Sequence, residues 1–291
     1  MTAASADPVS STEVEQFILQ GMVRIRKAFA VATAVRLQEA LWRRLAAHGI
    51  LPGDRSTWQR PFSGIGSTGD YQEAADGRLH RVYDQLIGAG CWQMPTSWGQ
   101  TRATFPQLST AWHLTSNAWH SDYWPSDTSP AGLLVIACLS ELRPSGGGTL
   151  MVAGSHRALA RYAAGLTEEQ RRWKNGRKSR GFAEYTPWLS ELTGGRPCVG
   201  RRTDRFMHQE HITEHGERLR VVELVGEPGD VWLCHPYIYH AASMNTLEVP
   251  RMMRFGLLHL SDPRATGVGG SPLAHSVAVR PASQPAAAAG S

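Results

Sequence analysis

The chain has 291 residues, 42% hydrophobic and 19% charged, with ten tryptophans and a formal net charge of +5. That excludes a disordered, charge-solvated chain and allows one large domain or two small ones, while the mild basic bias suits anionic small molecules as well as nucleic acid. No apolar run is long enough for a membrane-spanning helix, Met1 to Glu13 lacks a signal-peptide core, and Cys91, Cys138, Cys198 and Cys234 form no Cys-x-x-Cys pair, so a soluble cytoplasmic protein is expected rather than a zinc ribbon or a disulfide framework.

Met1 to Ser11 reads as a loose arm, and Val277 to Ser291, rich in Pro, Ala and Ser, as a disordered tail. Between them, residues 12–276 show no linker and no internal repeat, so a single domain is expected. Thr12 with Glu15 fits a capping box, and Phe17, Ile18, Met22 and Ile25 make a helical stripe after it. A second helix is predicted over Ala32 to Ala47, with Leu37, Leu41 and Leu45 on one face and Gly49 as its stop. A third is predicted over Arg78 to Ile87.

The period then changes. Leu133 to Leu139, Thr149 to Ala153, Leu219 to Val225, Asp230 to Cys234 and Met252 to Leu260 read as strands, with turns at Gly146-Gly147-Gly148 and Pro228-Gly229. Helices first and antiparallel strands later predict an α+β protein built on a barrel or jelly roll. Arg157 to Arg205 interrupts the strands with a helical piece, Thr167 to Trp173, and a basic run from Arg171 to Arg180; such an insertion reads as a lid or binding loop.

His120-Ser121-Asp122, with His240 and Arg251 far downstream, carries the chemistry. In an extended segment positions i and i+2 share a face, so His120 and Asp122 can reach one ion while Ser121 points away. Two imidazoles and a carboxylate on one face of Fe(II) leave positions open for a cosubstrate and O2. A lone His-x-Asp is equally compatible with a structural role. The neighbourhood strengthens it: Gly229-Asp230 and His235-Pro236 lead into His240, Asn245 and Pro250-Arg251, and Gly148-Thr149 through Gly154-Ser155-His156 forms an upstream block.

From about Trp119 to Leu260 these blocks resemble the phytanoyl-CoA dioxygenase family of Fe(II)- and 2-oxoglutarate-dependent oxygenases. The resemblance implies a double-stranded β-helix with the N-terminal helices packed on it. It implies His120, Asp122 and His240 as iron ligands and Arg251 as the partner of the distal carboxylate of 2-oxoglutarate, with Thr149 on a strand lining the cosubstrate pocket. The implied reaction oxidises a small organic molecule, by hydroxylation or otherwise, as 2-oxoglutarate becomes succinate and CO2. The carboxylate at Asp122 favours this over halogenation. Arginine suits the diacid because its fork makes two parallel N–H bonds, and Arg254, three residues on, faces the other way. Ala241-Ala242 departs from the Gly-Ser of many relatives, so a hydroxyl there is lost unless Ser243 replaces it. His156 and His235 recur in the pattern but read as structural.

Other features have plainer readings. His211-Ile212-Thr213-Glu214-His215 spells an inverted zinc-protease motif, yet strand-like residues follow at once, so a hairpin or lid edge carrying His208, His211 and His215 is expected. His113 and His259 read as core or rim residues. Trp119, Tyr123 and Trp124 are candidates for a substrate wall or for packing. The basic run is a solvated face, a seat for an anionic substrate, or a nucleic-acid surface with Trp173 and Phe182 stacking on bases. A small-molecule oxygenase is the preferred reading; a non-catalytic jelly roll that binds a metal or ligand, and an oxygenase acting on nucleic acid, are the alternatives.

Overall fold

The computed structural model describes residues 8–58, 62–65, 75, 77–97, 99–107, 111–125, 131–262 and 270–278. Strands β1 (Met22–Ile25), β8 (Val231–Cys234), β4 (Ala131–Cys138), β10 (Arg251–His259), β3 (Gln100–Thr104) and β2 (Phe62–Ile65) pair in that order as one sheet. A second sheet pairs β6 (His211–Ile212), β7 (Arg218–Glu223), β5 (Leu150–Ala153) and β9 (His240–Ala241). The named strand pairs are all antiparallel. This is the predicted α+β jelly roll.

Side-chain alternation sorts the layers. On β4, Leu133, Val135 and Ala137 meet the helix-side core, while Leu134, Ile136 and Cys138 project into the lumen between the sheets. Both faces of this strand are covered, so it reads as an unbroken apolar run. On β5, Met151 and Ala153 face the lumen, whereas Leu150 and Val152 join a third core with Leu159, Phe182 and Trp188 of the insertion.

Helices α1 (Ser11–Gln20), α2 (Val31–Ala46) and α3 (Gly77–Ile87) cover the six-stranded sheet. On α2 the buried Leu37, Leu41 and Leu45 recur every four residues, and each contributes about 1.5–3 kcal/mol by leaving water. The insertion is largely helical: α4 (Ser155–Ala164), α5 (Glu168–Arg171), α6 (Asn175–Ala183) and α7 (Pro187–Leu192). The last described helix, α8 (Pro272–Val277), runs through the first residue of the expected tail, and residues 279–291 lie outside the described set.

The first helix differs from expectation at both ends. Its cap is Ser10, not Thr12, with Glu13 closing the capping box, and Val9 before it is already buried. Residues 1–7 lie outside the described set. The helix stops at Gly21, whose φ of 78° is left-handed, so Met22 and Ile25 belong to β1 rather than to a longer helical stripe. A Cβ on Gly21 would lie 2.4 Å from Nδ1 of His156, so only glycine lets α4 pack this closely.

Candidate active site

Strand β9 is two residues long, and both its edges are used. Met151 of β5 lies opposite His240, which places the His240 ring in the lumen. On the other edge the His240 N–H donates to His120 O (2.8 Å) and the His120 N–H to His240 O (2.9 Å). This single bridge brings the two imidazole centroids to 4.3 Å. Asp122 follows two residues on.

Each ring is aimed in the same way. His120 Nδ1 lies 2.8 Å from the Ala118 carbonyl and His240 Nδ1 3.1 Å from that of Ile238. A carbonyl only accepts, so both Nδ1 atoms carry the proton and both Nε2 lone pairs are left for the shared centre. Ala118 presents its carbonyl at a φ of 62°, a strained conformation for alanine. From the two Nε2 atoms to the Asp122 carboxylate oxygens the distances are 3.5 and 3.6 Å. Metal–ligand bonds of about 2.0–2.2 Å place neighbouring donors roughly 3 Å apart. The donor set therefore fits a divalent ion with little movement.

The electrostatics agree. Hydrogen bonding to the Asp122 carboxylate raises the His120 pKa, whereas burial, with the nearby His120 charge, lowers that of His240. Burial works against the Asp122 charge, but the two histidines and Arg102 outweigh it and hold the carboxyl below its ordinary value. His120 is the outermost side chain at 47% exposure, Asp122 follows at 33%, and His240 is buried at 6%. The open side of the centre is toward solvent.

Arg251 begins β10 opposite Thr104 of β3 and donates through Nη2 to the Thr104 hydroxyl. Its Nε and Nη1 are buried with no hydrogen-bond partner among the described residues, and burial pulls its pKa down to about 10. A desolvated guanidinium with two idle donors is costly, at about 1–3 kcal/mol per unsatisfied group, and a bound carboxylate would relieve it. Arg254 binds Thr101 on the opposite face of β10, on the helix side with Met252 and Leu258. Asn245, fully buried, donates to the carbonyls of Thr104 (3.1 Å) and Val249 (2.8 Å), pinning the end of β3 beneath Arg251.

Thr149 lies one residue before β5, buried, its carbonyl accepting from Leu224 N–H. Ser243 accepts from the Trp112 indole (3.0 Å) and is held there. Sequence reasoning missed Thr104 and Arg102. Both sit on β3, whose sequence QTRAT has too few apolar residues to signal a strand. Arg102 lies 5.9 Å over the Phe255 ring and pairs with no carboxylate among the described residues.

The remaining histidines take no part. His211 opens β6 and stacks on Trp188 at 5.6 Å, and Thr213 to Gly216 is a turn, so the zinc-protease reading lacks its helix. Among the described residues, the group able to hold a metal is His120, Asp122 and His240. His156 and His235 are fully buried, 5.1 Å apart. His113 is exposed, not core, and Trp124 is core, not substrate wall.

Fold and triad together define an enzyme of the Fe(II)- and 2-oxoglutarate-dependent dioxygenase class, with a 2-His-1-carboxylate centre at the mouth of its barrel. The family model described as phytanoyl-CoA dioxygenase (PhyH) matches residues 20–253, and the chain belongs to that family. No curated protein matches it in sequence. Among solved structures, EctD from S. alaskensis with 2-oxoglutarate and 5-hydroxyectoine is 20% identical, covering 92% of this chain and 83% of that one at a TM-score of 0.51. HygX from Streptomyces hygroscopicus with nickel and 2-oxoglutarate is 15% identical, covering 87% and 88% at 0.51. AviO1 from Streptomyces viridochromogenes Tue57 is 16% identical, covering 90% and 98% at 0.50. These likenesses support the fold. No helix among the described residues is long and apolar enough to cross a membrane.

Proposed function

We propose that residues 12–276 act as one oxygenase domain in which His120, Asp122 and His240 hold Fe(II) and Arg251 anchors the distal carboxylate of 2-oxoglutarate, to oxidise a small organic molecule. The observation that carries this is the pairing of two unlike demands in one lumen. Three donors converge with their lone pairs free, and a buried guanidinium waits with two unused N–H groups. The metal supplies O2 activation coupled to loss of CO2 from 2-oxoglutarate. The protein's part is position. Ala118 and Ile238 fix the imidazole tautomers, Thr104 and Asn245 fix Arg251, and Met151, Met253 and Phe255 keep the lumen dry. Thr149, on the rim of that lumen, borders the cosubstrate.

An anionic substrate fits the basic charge around the mouth better than a nucleic acid does, because Arg102, one of the cations there, lies over Phe255, beside the His240 ring. The four cysteines are free, which fits a reducing compartment, and the cytoplasm is the proposed location.

The test follows labelled 2-oxoglutarate with Fe(II) and O2, and the expected products are succinate and CO2. His120→Ala and Asp122→Ala should each abolish the turnover. Tight metal binding with no turnover against any screened metabolite would instead mark a binding protein.

A further inference from the structure

Asp122 and Asn175 form a wall shared by two cavities of different chemistry. One, of about 670 Å³, holds His120 and carries one cation and one further carboxylate, Arg180 and Glu184, among serines, Asn117 and Thr193, beside Trp119 and Tyr239. The other, of about 740 Å³, lies between the six-stranded sheet and the insertion, and Arg102, Arg171, Arg172 and Lys178 line it. Among the described residues, Asp122 is the one acidic group in that second lining.

The cations are not equivalent. Arg171 is occupied, donating to the Leu166 carbonyl (3.1 Å) and lying 3.7 Å from Glu168. Arg172 has no side-chain partner among the described residues, and neither it nor Arg102 meets a carboxylate. Arg102 lies over Phe255, whose ring centroid is 6.1 Å from that of His240, so this charge stands beside the metal centre. Lys178 is 3% exposed, with its ammonium 5.9 Å from the Trp124 ring centroid. Trp173, also in the lining, is clamped under Arg177 at 3.8 Å and has a buried indole N–H with no partner among the described residues. Arg172 is exposed and Arg102 half-buried, and like charges gathered in one lining repel each other until an anion comes between them.

We propose that this second cavity is the anion seat of the substrate. The substrate of this oxygenase carries a terminal oxyanion, a carboxylate or a phosphate ester, held by Arg102 and Arg172, with its reacting carbon directed toward Asp122. The assignment rests on the oxygenase reading for its purpose but not for its test, because the anion seat is present without metal.

Binding of phenyl phosphate, benzoate and benzyl alcohol to the metal-free protein can be followed by tryptophan fluorescence and calorimetry. One or both anions should bind at least tenfold more tightly than the neutral alcohol, weaken as salt rises, and lose at least tenfold in Arg172→Glu. The stronger of the two identifies the oxyanion. Arg201→Glu, which lines neither cavity and is exposed, should bind like the native chain. Equal affinity for the alcohol and both anions, or undiminished anion binding in Arg172→Glu, would overturn the assignment. So would a single-stranded oligonucleotide that binds more tightly than either probe and is lost in the same variant. Absence of 2-oxoglutarate turnover in the native protein, with anion binding intact, would strike the oxygenase reading and leave the anion seat standing.

Discussion

Arg251 is buried at 5% exposure with two donors idle among the described residues, a state that costs the folded protein and that, under the proposed function, a bound carboxylate relieves. Function and stability therefore pull in opposite directions at this side chain. Arg251→Met should raise the unfolding free energy without 2-oxoglutarate by about 1–2 kcal/mol, because an uncompensated buried charge is replaced by an apolar chain of similar length. The same change should raise the KM for 2-oxoglutarate by on the order of a hundredfold, since losing one side of a buried charge pair costs about 2–5 kcal/mol. Melting curves with and without 2-oxoglutarate, set beside steady-state kinetics, separate the two effects; a variant less stable than native in both conditions would refute the account.

His156 and His235 give a second residue-scale expectation. Burial pushes the His156 pKa down to about 3 and, with the charge of His156, takes that of His235 well below its ordinary value. Both rings are neutral in the fold, while the unfolded chain takes up these protons near pH 6.5. Below that pH the unfolded state holds more protons, so stability is fully present above about pH 6.5 and is lost as pH falls toward 3. The loss approaches about 1.4 kcal/mol per pH unit for each histidine. Urea midpoints measured from pH 7 to 4.5 should fall less steeply in His156→Gln, and parallel slopes would rule out this source of acid sensitivity.

At the scale of elements, short pieces with demanding neighbours control the site. Gly21 ends α1, accepts from His235 N–H (2.7 Å), and lies against the His156 ring. Gly21→Ala adds left-handed strain of about 1–2 kcal/mol and a methyl with no room. The expected result is a Tm lower by roughly 4–8 °C, given about 2–4 °C per kcal/mol for a chain of this size. Asn245 acts similarly on β3. Asn245→Ala should weaken 2-oxoglutarate binding as well as stability, because releasing the Thr104 carbonyl lets the Thr104–Arg251 contact drift. A stability loss with an unchanged KM would make Asn245 a purely structural residue.

Over the whole molecule the layers divide the work between a rigid barrel and a polar insertion. Strand β4 is covered on both faces, whereas most of α5 and α6 is exposed. Amide exchange should accordingly be slowest in β4 and fast in α5 and α6, with protection of α6 rising when an anionic substrate binds. Equal protection in both regions would contradict this division.

The sequence by itself determined the donor chemistry. His120, Asp122 and His240 were legible because ligand type and spacing are local or ordered along the chain, as was Arg251 as the proposed diacid partner, and the apolar run of β4 announces a strand covered on both faces. Alternation along β10 likewise separated Arg251 from Arg254. Tertiary structure alone decided the rest. β3 and β9 exist because partners distant in the chain hold them, β10 and β2 for the first and β5 and His120 for the second, and neither has a pattern of its own. The bridge that sets the two imidazoles side by side, the place of Arg102 beside the metal centre and the two cavities meeting at Asp122 all arise from such pairings. Short segments carry too little apolar periodicity to fix their own conformation, so the long-range hydrogen bonds and the cores on either side fix it for them.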